Sequence, residues 1–239
     1  MSTSINNRSR QPKGTSKGGQ FAPETHTETP NDLDTTSSDT SPSVAKYYDN
    51  GNPKLEEWHD KNDDLHRTDG PAYIRYREDG TVSEEGWWRN GVMHRDGAPA
   101  RTFYDKKGNP TTEAWIQHGR CHREDGPAIT ERRKDGTIES EQWWQNGKRH
   151  RTDGPSWVNY TPDGSIETEL WWQNGQRHRT NGPAATDYWK NGTAQEESWW
   201  KNGKLHRDDG PAWVDYNPDG SVEFERWFQD GKEITPPQK

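Results

Sequence analysis

Six histidines recur every 28 residues, and they are the side chains in this sequence best suited by type to bind a metal ion. They are His66, His94, His122, His150, His178 and His206. Zinc holds histidine nitrogens about 2.0–2.1 Å away, so several rings must converge on one point. If each unit adds a β-hairpin, equivalent histidines lie two strand spacings apart, about 9–10 Å. His118 and Cys121 beside His122 add too few ligands for a structural site.

We therefore predict that the histidines are structural and that the chain has no metal site. Each ring is expected to pack beneath a neighbouring tryptophan and to form a hydrogen bond with a turn carbonyl or an aspartate.

Arginine and glutamate also recur in every unit, which argues against an active site. An enzyme needs one asymmetric pocket, whereas these residues are present in six equivalent copies. The sequence contains no phosphate-binding loop, no dinucleotide fingerprint and no paired-cysteine motif. We predict no catalytic residue, no cofactor and no enzymatic activity. The arginines and glutamates are expected to form ion pairs between neighbouring units.

Each unit contains a version of the motif His-Arg-x-Asp-Gly-Pro-Ala, seen best at residues 122–128; it is exact in three units and varied in the other three. In all six copies a glycine follows the histidine by 14 residues, a glutamate by 19 and a tryptophan by 21. Another bulky apolar residue comes directly after the tryptophan. A fixed period of this kind is typical of a tandem repeat array. Trp58 is one residue out of register, so the first copy is predicted to carry a single insertion.

Asn-Gly and Asp-Gly dipeptides alternate along the units and predict β-hairpins with type I′ turns. The Asn-Gly pairs are at 90–91, 146–147, 174–175 and 202–203, and the Asp-Gly pairs are at 79–80, 135–136, 163–164 and 219–220. Between them lie short segments rich in aromatic and β-branched residues, which is typical of half-buried strands. No segment has a helical period. We predict an all-β array of six repeats over residues 46–235 with partial end caps, forming an elongated twisted sheet or a solenoid.

The paired tryptophans suggest which side chains contact a partner. Successive strand residues point to opposite faces, so one ring of each pair should enter the main apolar seam while the other covers the opposite face. Tryptophan and arginine dominate the binding energy of protein interfaces. We predict that the exposed rings contact a protein partner; these are Trp88, Trp144, Trp172, Trp200, Trp157, Trp189 and Trp213.

The unit resembles the MORN repeat and its bacterial and phage variants. Residues 197–206 and 219–225 follow the family order of glycine, acidic residue, aromatic residue, Asn-Gly and histidine. The segment after the histidine departs from the family, because Arg-x-Asp-Gly-Pro-Ala replaces Gly-x-Gly and lengthens each unit by about five residues. The resemblance covers residues 55–233 and implies a β-hairpin array that serves as an interaction or assembly surface.

Residues 1–45 differ in composition from the repeats. They are rich in Ser, Thr, Asn, Pro and Gly and have almost no large apolar side chain, which predicts a disordered tail and linker. Residues 10–22 resemble a short leader carried by many actinobacterial proteins. Together with the MORN-like unit, this leader suggests a phage or mobile-element origin.

The single cysteine excludes an internal disulfide framework and favours a reducing, cytoplasmic location. No apolar run is long enough to span a membrane, and no secretory signal is evident.

The net charge of −8 bears on the choice of partner. A nucleic-acid groove should be basic, so the charge argues against nucleic acid, and it also disfavours anionic lipid. We predict a non-enzymatic protein-interaction module. The alternative is an antitoxin-like inhibitor from a phage or mobile element, which neutralises a nuclease or defence protein by acidic mimicry of DNA. Unpaired end strands would also permit self-association.

Overall fold

The structure, a computed structural model, describes residues 41–236, and every regular element in this range is a β-strand. The predicted all-β chain of tandem hairpins is therefore confirmed. Within the described residues there is no helix long and apolar enough to cross a membrane. The leader-like segment 10–22 and most of the predicted tail lie outside the described residues, whereas Val44 and Ala45 belong to the first strand.

The described range contains 25 strands. They are β1 (Val44–Tyr47), β2 (Pro53–Glu57), β3 (Tyr73–Tyr76), β4 (Val82–Gly86), β5 (Trp88–Arg89), β6 (Val92–Met93), β7 (Arg101–Tyr104), β8 (Pro110–Ala114), β9 (Ile116–Gln117), β10 (Arg120–Cys121), β11 (Ile129–Arg132), β12 (Ile138–Gln142), β13 (Trp144–Gln145), β14 (Lys148–Arg149), β15 (Trp157–Tyr160), β16 (Ile166–Leu170), β17 (Trp172–Gln173), β18 (Gln176–Arg177), β19 (Ala185–Tyr188), β20 (Ala194–Ser198), β21 (Trp200–Lys201), β22 (Lys204–Leu205), β23 (Trp213–Tyr216), β24 (Val222–Gln229) and β25 (Lys232–Ile234).

Fifteen of these strands form one antiparallel sheet in the order β1-β2-β3-β4-β7-β8-β11-β12-β15-β16-β19-β20-β23-β24-β25. Each unit adds one hairpin beside the previous one, and the edge strands β1 and β25 lie at opposite ends, so the sheet is open. The other strands form five two-stranded hairpins, β5-β6, β9-β10, β13-β14, β17-β18 and β21-β22. We call these the short hairpins; each connects two consecutive hairpins of the sheet.

The two turns of each unit differ in geometry. At the Asn-Gly turns both residues have positive φ, as at Asn146 (50°) and Gly147 (77°), so the predicted type I′ turn is confirmed. At the Asp-Gly turns only the glycine does, as at Gly136 (88°). The N–H of Gly136 donates to the Arg133 carbonyl, and the N–H of Arg133 donates to the Thr137 carbonyl. This is a type I turn followed by a glycine bulge, so the type I′ prediction is wrong there.

The His-Arg-x-Asp-Gly-Pro-Ala motif closes each unit through its arginine. The guanidinium carbon of Arg151 lies 4.1 Å from the ring centroid of Trp143. The Arg151 Nε donates to Asp153 Oδ1 (2.9 Å), and Nη1 donates to the Pro155 carbonyl (3.2 Å). A Cβ atom on Gly154 would lie 2.6 Å from the guanidinium carbon. Arg151 therefore lies close against the backbone of Gly154, although in the second unit Ala98 occupies this position and Arg95 still stacks on Trp87.

The same stacking occurs in all six units, with distances of 3.7–4.1 Å from guanidinium carbon to ring centroid. The pairs are Arg67–Trp58, Arg95–Trp87, Arg123–Trp115, Arg151–Trp143, Arg179–Trp171 and Arg207–Trp199. The expectation that these arginines pair with the glutamates of neighbouring units is therefore wrong. The hydrogen bond from Arg151 holds the pKa of Asp153 below its usual value.

Backbone hydrogen bonds join consecutive units. The N–H of Trp143 donates to the Ser156 carbonyl (2.8 Å), and the N–H of Gly147 donates to the Cys121 carbonyl (2.9 Å). The residue after the proline of the motif has no exposed surface in any unit; these residues are Ala72, Ala100, Ala128, Ser156, Ala184 and Ala212. Only a small side chain fits between the units at this position.

The two ends of the array follow the same bonding pattern. Trp58 N–H donates to the Ala72 carbonyl and His66 N–H donates to the Trp58 carbonyl, as Trp87 and its partners do, so the single insertion in the first copy is confirmed. At the other end, Ile234 pairs with Trp227 where a histidine stands in the complete units. This partial seventh unit covers the sixth.

Candidate binding face

The alternation of side chains divides the sheet into two faces. The constant face carries the residues 8, 10, 19 and 21 positions after each histidine. These are a β-branched residue in every unit, a tyrosine in five of six, and the glutamate and first tryptophan in every unit. The same contacts therefore recur along the whole constant face.

The tyrosines of the constant face bind the glutamates of the preceding unit. Their hydroxyls donate in the pairs Tyr104–Glu85, Tyr160–Glu141, Tyr188–Glu169 and Tyr216–Glu197, at 2.8–3.1 Å. Burial, together with the neighbouring carboxylate, raises the pKa of these four tyrosines to about 12. Arg132, which replaces the tyrosine in one unit, forms an ion pair with Glu113 instead (3.2 Å). Most of these glutamates therefore stabilise the contact between neighbouring units.

The opposite, variable face carries the residues 7, 9, 18 and 20 positions after each histidine. It also carries the second bulky residue of the tryptophan pair and the residue before the histidine. Seven positions after the histidine the units have Tyr73, Arg101, Ile129, Trp157, Ala185 and Trp213. Directly before the histidine they have Leu65, Met93, Cys121, Arg149, Arg177 and Leu205. One backbone geometry therefore accepts very different side chains on this face.

Six of the seven predicted contact tryptophans lie on the variable face. Trp157 and Trp213 are in sheet strands, and the other four, Trp88, Trp144, Trp172 and Trp200, are in the short hairpins. All six are half-buried, so the expectation of exposed rings needs correction. Neighbouring polar groups hold several of them: Trp157 Nε1 donates to Asn159 Oδ1 (2.7 Å), and Trp213 Nε1 donates to Asp215 Oδ1 (3.0 Å).

Trp189 lies apart from the other six, in the turn after β19. Its Nε1 donates to the Tyr216 carbonyl of the next unit (3.1 Å). Arg77 and Arg133, at the same position of their own units, donate to the equivalent tyrosine carbonyls. Trp189 therefore joins two units and does not belong to the variable face.

Two arginines lie among the tryptophans of the variable face. The guanidinium carbon of Arg149 is 4.1 Å from the ring centroid of Trp157, 4.9 Å from that of Trp144 and 5.6 Å from that of Trp172. Arg177 occupies the equivalent position one unit later, between the next two rings. Burial lowers the pKa of both arginines, and the Nε of each is buried without a hydrogen-bond partner.

An open groove of about 470 Å³ lies between consecutive short hairpins. Trp144, Arg149 and Trp172 line it, together with Lys148 and Gln176. Within residues 41–236 Arg149 has no carboxylate at ion-pair distance, and its Nη2 donates only a long hydrogen bond to the side chain of Gln142 (3.3 Å). After burial, the charge that acts most on Arg149 is that of Arg177. The groove therefore contains a cation that the described residues do not neutralise.

Three carboxyl groups lie side by side farther along the variable face. Asp187 and Asp215 are the cross-strand neighbours of Glu196. Burial and then the two aspartates raise the pKa of Glu196 to about 7, while Arg177 and Arg226 act in the opposite direction. The acidic and basic groups of this region are therefore close enough to influence one another.

The short hairpins have a charge opposite in sign to that of the chain. Residues 88–93, 116–121, 144–149, 172–177 and 200–205 contain seven basic side chains and no acidic one, although the net charge is −8. The seven are Arg89, Arg120, Lys148, Arg149, Arg177, Lys201 and Lys204. The short hairpins thus form a basic row that the overall composition conceals.

The six histidines are held apart rather than brought together. Each Nδ1 accepts a hydrogen bond from a backbone N–H at 3.1–3.2 Å, instead of donating to a turn carbonyl as expected. The donor is at the tip of the next short hairpin or, for His206, at the tip of the β24–β25 hairpin. In His94 and His206 the Nε2 atom also faces an aspartate. Across residues 41–236, no three His, Cys, Asp or Glu side chains are arranged to hold a metal ion.

No protein-family model matches the chain, and no curated protein matches it. The resemblance to MORN repeats therefore stays a prediction from the repeat motif, and the function is argued from the geometry of the two faces.

Sequence reasoning missed Arg149, Arg177 and Glu196. The signal was present in a comparison of the units position by position. Arginine at 149 and 177 stands where other units have leucine, methionine or cysteine, and glutamate at 196 recurs only at Glu84, whereas the remaining units have Thr, Ser or Phe there. Selecting residues by recurrence emphasised the constant face and concealed these differences.

Proposed function

We propose that this protein is a non-enzymatic interaction module that binds a protein partner through its variable face. The contrast between the two faces carries the proposal. Packing alone would favour one residue at each position of the repeat, as on the constant face. The variable face instead presents six different environments on one backbone, which is how a repeat array can encode specificity for a partner.

The chemistry of the variable face supports the same conclusion. Tryptophan and arginine provide most of the binding energy in protein interfaces. Hydrogen bonds already hold the rings of Trp157 and Trp213, so little side-chain freedom remains to be lost on binding. The resemblance to MORN repeats, which serve mainly as interaction surfaces, and the unpaired thiol of Cys121, which suits a reducing cytoplasm, also support the proposal.

Quantitative capture of a partner from a lysate of the native host tests the proposal. The full-length chain is compared with a Trp157→Ala/Trp213→Ala variant. The fold accepts alanine at this position of the repeat, because the fifth unit has Ala185 there. We expect this variant to lose the partner. Trp189→Arg is the matched control, because Arg77 and Arg133 fill that turn position in other units, and it should retain the partner. Retention at the wild-type level by the double variant would exclude the variable face.

A further inference from the structure

Building on the proposed function, we propose that the variable face binds an extended acidic peptide segment whose carboxylates meet Arg149 and Arg177 in the grooves between the short hairpins.

Both arginines have an Nε that is buried without a hydrogen-bond partner, and a buried unpaired donor on a charged group destabilises a fold. Asp187 and Glu196 act on Arg177 without forming an ion pair with it, and Arg149 has no carboxylate at ion-pair distance in the described part of the chain. The short hairpins that end in Met93, Cys121 and Leu205 form without an arginine at this position. The fold therefore does not need Arg149 or Arg177. A charge-assisted hydrogen bond to a bound carboxylate would offset their cost.

The spacing of the grooves matches that of an extended peptide. Consecutive units are two strands apart, about 9.4–9.8 Å. A polyproline II segment has three residues per turn and rises about 3.1 Å per residue, so every third side chain recurs after about 9.3 Å. A segment lying along the array can therefore place a carboxylate at Arg149 and the next one, three residues later, at Arg177. The intervening residues would lie against Trp144 and Trp172, which border the groove.

The basic row would attract both an acidic peptide and nucleic acid, but Asp187, Glu196 and Asp215 share the variable face with Arg177. A continuous polyphosphate would be repelled by these three carboxylates. A peptide whose own carboxylates are separated by neutral residues can meet the arginines and avoid them.

Fluorescence anisotropy on the full-length chain tests the inference. The probe is a labelled peptide of five Glu-Pro-Pro triplets. We expect binding that weakens about tenfold for each of Arg149→Leu and Arg177→Leu, because each substitution removes one charge-assisted hydrogen bond to the peptide. Lys106→Gln and Lys134→Gln remove the same charge from exposed turns at the opposite ends of the strands, and they should leave the affinity unchanged.

Three further probes make the result decisive. Five Gln-Pro-Pro triplets should bind weakly because they keep the conformation but lack the charge. A peptide of the same composition with its glutamates consecutive should also bind less well than the triplet probe. Equal affinity for that peptide, tighter binding of a fifteen-nucleotide oligothymidylate, or unchanged affinity of both arginine variants would overturn the inference. If the triplet probe does not bind while Trp157→Ala/Trp213→Ala still loses the native partner, the inference fails and the proposed function stands.

Discussion

The Nδ1 atom of His122 accepts a hydrogen bond from the backbone N–H of Asn146, 3.1 Å away and 24 residues later in the chain. Asn146 is the first residue of the left-handed pair at the tip of the next short hairpin. The bond therefore ties one unit to the turn of the following unit, and it requires the ring proton of the neutral imidazole to be on Nε2. Since all six histidines form this bond, their recurrence has a structural cause.

Replacing His122 should loosen the array at one joint. His122→Ala removes the acceptor for the Asn146 amide, and we expect a loss of about 1 kcal/mol from the hydrogen bond, with a further loss from the packing of the ring. The midpoint of urea unfolding measures the effect. His122→Asn places an amide oxygen near the position of Nδ1 and should restore part of the stability. Equal stability of the alanine variant and the wild type would show that the bond contributes nothing.

Gly154→Ala should cost stability, and the cost should depend on Arg151. The new Cβ lies 2.6 Å from the guanidinium carbon, which is at the end of a flexible side chain and can shift, as it does beside Ala98 in the second unit. We therefore expect a loss of about 1 kcal/mol, at the low end for overpacked sites. In an Arg151→Ala background the same substitution should cost much less. Unfolding free energies of the four proteins form a double-mutant cycle. Strictly additive changes would show that the two side chains do not interact.

Arg149→Leu should leave the array as stable as the wild type or more stable. The substitution removes a guanidinium whose Nε is buried without a hydrogen-bond partner, which costs about 1–3 kcal/mol. Its contact with the Trp157 ring offsets about 0.5–2 kcal/mol of that cost. Leucine is the residue found at the same position in Leu65 and Leu205. Arg151→Leu is the control, because Arg151 stacks on a tryptophan as Arg149 does but also forms an ion pair with Asp153, which Arg149 lacks. Calorimetry should give a lower Tm for the control only. A comparable drop in both variants would mean that Arg149 is needed for folding.

Glu196 should make the stability of the fold depend on pH between the pKa of its unfolded state and the pKa of its folded state. Its pKa is raised from 4.5 to about 7 in the folded chain, first by burial and then by Asp187 and Asp215. The folded state therefore binds the Glu196 proton more tightly than the unfolded state does. The protonated carboxyl contributes fully to the free energy of unfolding below pH 4.5, and this contribution is lost as the pH rises through about 7.

The variant Glu196→Gln isolates this effect. Its Tm should exceed that of the wild type at pH 8, and the difference should shrink on acidification to pH 4.5. Glu167→Gln, at an exposed position of β16, removes a charge away from Asp187, Glu196 and Asp215 and should show no such trend. A Tm difference for Glu196→Gln that is the same at both pH values would contradict the raised pKa.

The repeating part of the fold could be predicted from the sequence because it depends on local rules. Positive φ at Asn-Gly predicts a hairpin from the dipeptide alone, and alternation places the two tryptophans of a pair on opposite faces. The type of the Asp-Gly turn could not be predicted in this way, because it depends on the bulge at Gly136, which the dipeptide does not reveal.

The arrangement of the variable face could not be predicted from local rules either. Whether a tryptophan is exposed depends on neighbours contributed by other units, as with Trp157 beneath Arg149. The sequence predicts that Trp189 binds a partner, yet its indole donates to a backbone carbonyl 27 residues away. Net charge likewise gives no information about the basic row, because charge is distributed unevenly over the fold.

Oxidative footprinting of tryptophans, with and without the captured partner, tests the central claim most directly. The two members of each pair differ by one position in the chain, so each pair contains its own control. We expect the partner to protect Trp144, Trp172 and Trp200 on the variable face, while Trp143, Trp171 and Trp199 on the constant face react at unchanged rates. Protection of the constant-face rings with no change at the variable-face rings would contradict it.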